Sequence, residues 1–307
     1  MPIPTLRADL HVHTCHSKVS GSMRFLGSRD CYSPPAEVYR VAKARGMDLV
    51  AFTDHDSIGG ALELLNDRPD LNDVIIGEEV SCRLPDGDIE VHLAVYGMTE
   101  ALHRDVQPLR GNVHDVIGRL RDADVFFALN HLLHFYRGQI PLERYLRLLD
   151  DVPALEVRNG TMLSSHNALI ERIARSWPAP AAGGRFGLVA GSDAHTLRRV
   201  ATTWTEAPGR TRDEFLASVR AGRGVPGGRH GTTATIARDA YGVIGSYVAA
   251  LAGFGPRDLP PIRRAACLAF AAVSLPFQFM PVAIAANGKA GERRAVALAA
   301  AHIAAAA

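Results

Sequence analysis

The sequence predicts an α/β protein built on a mostly parallel sheet, and two observations carry that expectation. From Leu6 to about Arg210, short apolar runs alternate with amphipathic stretches, the signature of repeated strand and helix units. His, Asp and Glu gather where several of the apolar runs stop, as they do when strand ends face a common site.

Taken in order, the first apolar run ends in Asp9-Leu10-His11-Val12-His13. Residues 34–45 read as a helix, with Ser33 as N-cap, prolines at its first positions and Gly46 as its stop; residues 48–53 follow as a strand. The same order recurs with a helix at 113–122 before a strand at 125–129. It recurs again with 142–149 before 154–157, and with 166–177 before 187–190. No repeat is visible in the residues themselves, so the regularity lies in apolar patterning. Residues 212–221 read as a final helix and 222–231, rich in Gly and Arg, as a loop or boundary. The expected division is one main α/β domain over 1–222, then a Gly/Arg linker and an Ala-rich helical tail over 223–307. Residues 265–286 contain no charged side chain, but Pro276, Gln278 and Pro281 argue against a membrane span. A tail packed on the barrel, on a partner or on a membrane surface is expected.

Composition narrows the function classes. Among 307 residues, 47% are hydrophobic and 21% charged, with a formal net charge of +2. That is a folded globular profile, without the basic field needed for strong binding to long nucleic acids. Small anionic substrates stay open. The cysteines, Cys15, Cys31, Cys82 and Cys267, are scattered and show no CxxC spacing, so a reducing compartment is expected. The N-terminus lacks the basic start and apolar run of a secretory signal, and a cytoplasmic location is expected.

The chemistry-bearing residues form separated motifs. In His11-Val12-His13 the two imidazoles share a strand face and can bind one ion, a geometry suited to zinc, manganese or iron. By itself an HxH pair is as often two unrelated polar residues. Thr53-Asp54-His55-Asp56 follows an apolar strand; its aspartates could be helix caps, but capping gives no reason for the histidine. Ser192-Asp193-Ala194-His195 repeats the alternation, with Asp193 and His195 on one face if the strand continues through them. Between them lie Gly77-Glu78-Glu79, His92 within a short strand, and Asn130-His131. About nine N and O donors exceed the four-coordinate demand of one zinc, so two or three ions sharing bridging groups are implied. Such a cluster can acidify water, clamp phosphate oxygens and neutralise a leaving group. No GxSxG or GxxxxGK[ST] pattern is present, which removes the common nucleophilic and nucleotide-triphosphate readings.

In their order, HxH, TDH, GxE followed by Ser, a strand His, NH and SDAH resemble the polymerase and histidinol phosphatase (PHP) domain over roughly residues 6–209. The resemblance implies a distorted seven-stranded β/α barrel with a trinuclear metal site and phosphoesterase activity. By that resemblance His11, His13, Glu79 and Asp193 hold a first ion, and Glu79 bridges to a second held by His92 and His131. His55 and His195 then belong to a third. Its further ligand is Asp30, if residues 19–29 are an inserted loop, or else His16, because Lys18 and Val19 stand where the family places an Asp or His. The expected cofactors are thus two or three divalent cations. Catalytic weight falls on His11, His13, His55, Glu79, His131, Asp193 and His195.

Substrate phosphate needs further counter-charge, for which Lys18, Arg137, Arg158 and Arg198 are the candidates beside plain solvated surface roles; Arg199 is a further one. The expected activity is hydrolysis of a phosphate mono- or diester of a small metabolite or nucleotide. The alternatives are an amidohydrolase or esterase acting on a carbonyl, or an idle module that docks a partner or membrane through its tail.

Overall fold

A computed structural model of the chain describes residues 3–18, 28–178, 184–254, 260–273 and 279–306. One mixed sheet of nine strands organises them. In chain order the strands are β1 (Thr5–Val12), β2 (Leu49–Phe52), β3 (Val74–Leu84), β4 (Ile89–Tyr96), β5 (Phe126–Leu129), β6 (Ala154–Asn159), β7 (Gly187–Gly191), β8 (Thr203–Pro208) and β9 (Val225–Gly228). The helices that connect and follow them are α1 (Pro35–Ala44), α2 (Gly59–Asp67), α3 (Glu100–Val106), α4 (Val113–Asp122), α5 (Leu142–Leu146), α6 (Ser164–Ser176), α7 (Arg212–Ser218), α8 (Thr233–Leu251), α9 (Pro261–Val273) and α10 (Met280–Ala306).

The sheet order is β7-β6-β5-β4-β3-β2-β1-β8-β9. β1 to β3 run parallel, β4 is antiparallel to both neighbours, and β5 to β7 are again parallel. β4 reverses because a four-residue turn joins it to β3, far too short for the helical crossover a parallel partner needs. At one rim the sheet closes: Val12 bridges Ala194, His13 N donates to Ala194 O at 3.1 Å, and Asp193 N donates to His11 O at 2.7 Å. Gly191 permits that approach, since a Cβ there would overlap the backbone of His11. β1 to β7 therefore form a seven-membered ring at the rim. Toward the other end β8 pairs antiparallel with the start of β1, and β9 pairs with β8. The expected barrel is present, with two more strands than expected.

β2 reads Leu-Val-Ala-Phe and is wholly buried, as a strand covered on both faces must be. The barrel interior is filled by residues from β1 through β7, among them Leu10, Ala51, Ile75, Ala94, Ala128 and Val189. α1, α2, α4 and α6 bury one face each against the outside of the sheet, Val38 and Ile117 being two of the anchors.

Several local expectations are corrected. The N-cap of α1 is Pro34, which makes no side-chain cap; Ser33 lies one residue outside. The Gly/Arg stretch expected as a loop contains β9, stabilised by pairing with β8 that local composition does not encode. The tail is helical. α8 starts from a reciprocal capping box between Thr232 and Thr235, and α10 contributes Ala295, Val296 and Ala299 to the main core cluster. Pro276 and Gln278 lie outside the described residues. No helix among the described residues is long and apolar enough to cross a membrane.

Candidate metal centre

The closed rim gathers the motifs. β1 ends at Val12, with a register shift against β2 between Asp9 and Val12; irregularities of this kind re-aim side chains beside functional sites. His11 and His13 converge so that their Nε2 atoms stand 3.2 Å apart. Glu79 lies in the middle of β3, and His92 sits on β4, two residues before Glu79's direct partner Ala94. Their side chains therefore share one face of the hairpin. His55 bridges to Glu79 just beyond β2, and Asn130 and His131 follow β5.

Glu79 is the hub. Its Oε2 lies 3.1 Å from His11 Nε2, 3.4 Å from His13 Nε2 and 3.2 Å from His55 Nδ1. Its Oε1 lies 3.1 Å from both His92 Nδ1 and His131 Nε2, and Asn130 Nδ2 donates to it at 2.9 Å. Asp193 is similarly divided. Its Oδ1 faces His11 Nε2 at 3.6 Å and His13 Nε2 at 3.3 Å. Its Oδ2 accepts from Asn159 Nδ2 at 3.1 Å and Thr161 Oγ1 at 2.8 Å. Asp30 completes a third group, 3.0 Å from His195 Nε2 and 3.7 Å from His55 Nε2. Donor sets suited to a cation are His11/His13/Glu79, His55/Glu79/His92 and His13/Asp30/His55/His195.

All nine candidate ligands thus assemble, and the rivalry for the third group is resolved in geometry. His16 turns away to Glu63, at 2.7 Å, whereas Asp30 enters the cluster. One expectation is corrected. β7 ends at Gly191 and Asp193 has φ 51°, so Asp193 and His195 meet through a turn and not by strand alternation. His131 also has a positive φ, 28°. Non-glycine residues take this conformation uncommonly, Asp and His more readily than most, and such positions cluster at functional sites.

The donors fit cations. Glu79 Oε2 and His55 Nδ1 are buried 3.2 Å apart, yet neither has a hydrogen-bond partner of acceptable geometry. Their lone pairs converge on shared space instead of on each other, which is costly unless something positive sits there. Protonation tells the same story. Burial opposes charging of His195 and His92, but Asp30 and Asp193 raise the former to about 10, and Glu79 and Glu90 raise the latter to about 9. Burial also opposes the imidazolium of His11, but Glu79, Glu156 and Asp193 raise its pKa well above the usual value. His13 is pushed down to about 3 by burial and by His195. Despite burial, neighbouring imidazoles hold Glu79, Asp30 and Asp193 below the usual carboxylate range. The carboxylates stay ionised and demand positive charge.

Around the donors lies a set of orienting residues, of which Asp9 and Asp54 fall within the motifs and the others do not. His11 Nδ1 is held by Glu156 at 2.8 Å, His92 Nε2 by Glu90 at 2.9 Å, and His13 Nδ1 by Ser17 Oγ at 3.2 Å. Partners on the far ring nitrogen fix the tautomer and the direction of the ligating one. Asp9 accepts from Ser192 N at 2.8 Å and Ala201 N at 2.7 Å, tying β1 to the Asp193 turn. Asp54 accepts from Thr14 Oγ1 at 2.7 Å; it caps no helix, since the N-cap of α2 is Ile58 and no side chain caps it. Of these, Glu156 had a sequence signal: a carboxylate inside the apolar run 154–157.

The basic candidates do not converge as the ligands do. Lys18 is exposed beside His55, whose carbonyl accepts its backbone N at 3.1 Å. Arg137 donates to the carbonyls of His134 and Tyr136 in its own loop. Arg158 is half-buried, and Arg198 is exposed. Arg199 is buried and pairs with Asp239 of α8 at 3.2 Å, a structural role. Cys15 is half-buried, and none of the four cysteines is in a disulfide.

A closed β/α rim with three overlapping His/carboxylate donor sets defines a barrel protein with a cluster capable of binding metal. Residues 164–223 match the PHP-associated family model PHP_C. Over that segment the chain is similar to PHP-associated proteins. Over 76 residues it is 36% identical to the uncharacterized protein MJ1587 of Methanocaldococcus jannaschii, covering 24% of this chain and 44% of that protein. The match thus spans less than half of the relative's length. Among solved structures, the fold is similar to a two-domain protein from Bacteroides vulgatus containing a predicted PHP-like metal-dependent phosphoesterase. The TM-score there is 0.49 and the identity 16%, over 74% of this chain and 66% of that one. It is also similar to PsfC from Pseudomonas syringae, with TM-score 0.48 and 17% identity over 80% and 97% of the respective chains.

Proposed function

We propose that the chain is a metal-dependent hydrolase of phosphate esters, acting on a small phosphorylated metabolite or nucleotide. The observation that carries this is the division of Glu79, with Oε2 turned to His11, His13 and His55 and Oε1 turned to His92 and His131. One carboxylate between two imidazole groups is the arrangement that holds two cations side by side. His11, His13, Glu79 and Asp193 would hold the first, Glu79, His92 and His131 the second, and Asp30, His55 and His195 a third. Bound divalent cations supply Lewis acidity and water acidification, the chemistry that hydrolysis of a phosphate ester requires.

The chain's own contribution is positioning. Glu156, Glu90 and Ser17 fix which nitrogen of His11, His92 and His13 faces the cluster, and Asn130 holds Glu79 Oε1 in place. Lys18, next to His55 in space, is the best placed of the basic candidates to meet a phosphate. The balanced net charge of +2 suits a small ester better than a long nucleic acid. In the test, the full chain is stripped with chelator, reloaded with Mn²⁺ or Zn²⁺, and assayed for phosphate release from an aryl phosphate and for cleavage of a diester. Activity that appears with the cation and vanishes with chelator is expected. Bound cation without turnover of any member of a broad phosphate panel would end the proposal.

A further inference from the structure

Helix α10 reaches the metal centre through two buried charges. Lys289 and Glu292 are 5% and 2% exposed and lie 2.6 Å apart. Lys289 Nζ donates to Thr161 O at 2.6 Å, and Glu292 Oε1 accepts from Leu163 N at 2.7 Å. Both contacts fall on the short segment between β6 and α6. From that segment Thr161 Oγ1 stands 2.8 Å from Asp193 Oδ2 and 2.7 Å from Asn159 Oδ1, its one proton shared between the two acceptors, leaving Asp193 Oδ1 to face His11 and His13.

The segment is held from two more directions. Gly231, at the approach to α8, donates its N–H to Met162 O at 2.7 Å, and a Cβ at Gly231 would collide with the Thr161 carbonyl. Arg199 bonds Gly160 O while paired to Asp239 of α8. A buried ion pair seldom adds stability over an apolar pair of the same size, because desolvation cancels much of the attraction. Here each charged group spends a hydrogen bond on the main chain of one loop, so its effect is geometric. Asp193 sits at φ 51°, a conformation that its surroundings must maintain.

We propose that Lys289 and Glu292 are positioning residues for the cation site, fixing the 161–163 backbone so that Thr161 keeps Asp193 turned toward His11 and His13. This rests on the reading that the rim binds cations. It makes α10 part of the working centre, in contrast to a detachable tail.

The test is Mn²⁺ titration of the chelator-stripped full chain, read together with thermal unfolding. Lys289→Met combined with Glu292→Leu replaces the pair by apolar groups of similar size. Its Mn²⁺ affinity is expected to fall about 10-fold, the scale of lost outer partners at metal sites, with little change in Tm of the stripped protein. Thr161→Val should weaken binding as well. All three substitutions together should be no worse than Thr161→Val alone, because they act through one hydroxyl. Unchanged affinity in the double variant, or losses that multiply in the triple, would overturn the proposal. Should the double variant not fold, Glu292→Gln and Glu292→Leu give a second measurement. Gln keeps an acceptor for Leu163 N and should bind as the wild type does, and Leu should not; equal affinities would overturn the proposal. A wild-type chain that binds Mn²⁺ but cleaves no phosphate ester would end the phosphoesterase proposal alone, since cation affinity is the readout here.

Discussion

At the two ends of the barrel, carboxylates meet basic nitrogens at nearly the same distances, with different consequences. Beside the starts of the strands, Arg7 pairs with Glu206 at 2.8 Å and Lys43 with Asp73 at 2.7 Å, on side chains that are one-fifth to one-half exposed. At the closed rim, His11 meets Glu156 at 2.8 Å and Glu79 at 3.1 Å, on side chains that are at most 1% exposed. Water screens the first kind of pair and leaves it worth little. The second kind has lost its hydration, so each charge must be met by a partner, a proton or a cation. A chain that concentrates such groups at one rim gives up stability there, and function is the physical reason to do so.

The contrast can be broken or sharpened by substitution. The largest effects belong to the donors themselves. His11→Ala, Asp193→Ala and Glu79→Gln should each lower hydrolysis by more than about 100-fold, beyond what an outer partner costs, while far-ultraviolet circular dichroism stays that of the wild type. Next comes Glu156→Gln, which keeps the shape but weakens the hold on His11 Nδ1. Cation affinity measured by titration should fall about 10- to 100-fold, and the Mn²⁺ needed for half-maximal activity should rise in step.

A third expectation concerns protons. With pKa values of about 9 and 10, His92 and His195 are protonated at pH 7 in the cation-free protein, and ligation requires the neutral ring. Cation binding at pH 7 should therefore release protons, detected as a buffer-dependent binding enthalpy. Affinity should rise with pH and the release should shrink above pH 10. Buffer-independent enthalpy at pH 7 would contradict it. The smallest effect is expected at the opposite end of the barrel. Lys43→Met should change unfolding free energy by less than about 1 kcal/mol and leave cation affinity untouched.

Much of this was legible in the sequence, for identifiable reasons. Residues 113–122 form a helix with the expected bounds, because Asn112 caps it and its apolar spacing is regular. The ligand motifs were legible because a strand end is a local event, marked by an apolar run giving way to His or Asp. What escaped depends on contacts distant in the chain. β9 exists through pairing with β8, and its Val-Pro-Gly-Gly sequence has no strand signature of its own. Asp193 and His195 looked like an alternating pair, yet the chain turns at Asp193 to close the barrel against β1. The choice of Asp30 over His16 needed coordinates, since His16 is nearer in sequence and only space shows it bound to Glu63. The link from α10 to Asp193 crosses about 130 residues between Lys289 and Thr161, a relation no local pattern expresses.

The most direct test is the cation content of the full chain purified without chelator, determined by elemental analysis beside the Glu79→Gln variant. Wild type should carry at least two divalent ions per chain, and the variant should lose most of them while remaining folded. A wild-type chain that binds none, even after incubation with excess Mn²⁺ or Zn²⁺, would contradict the account.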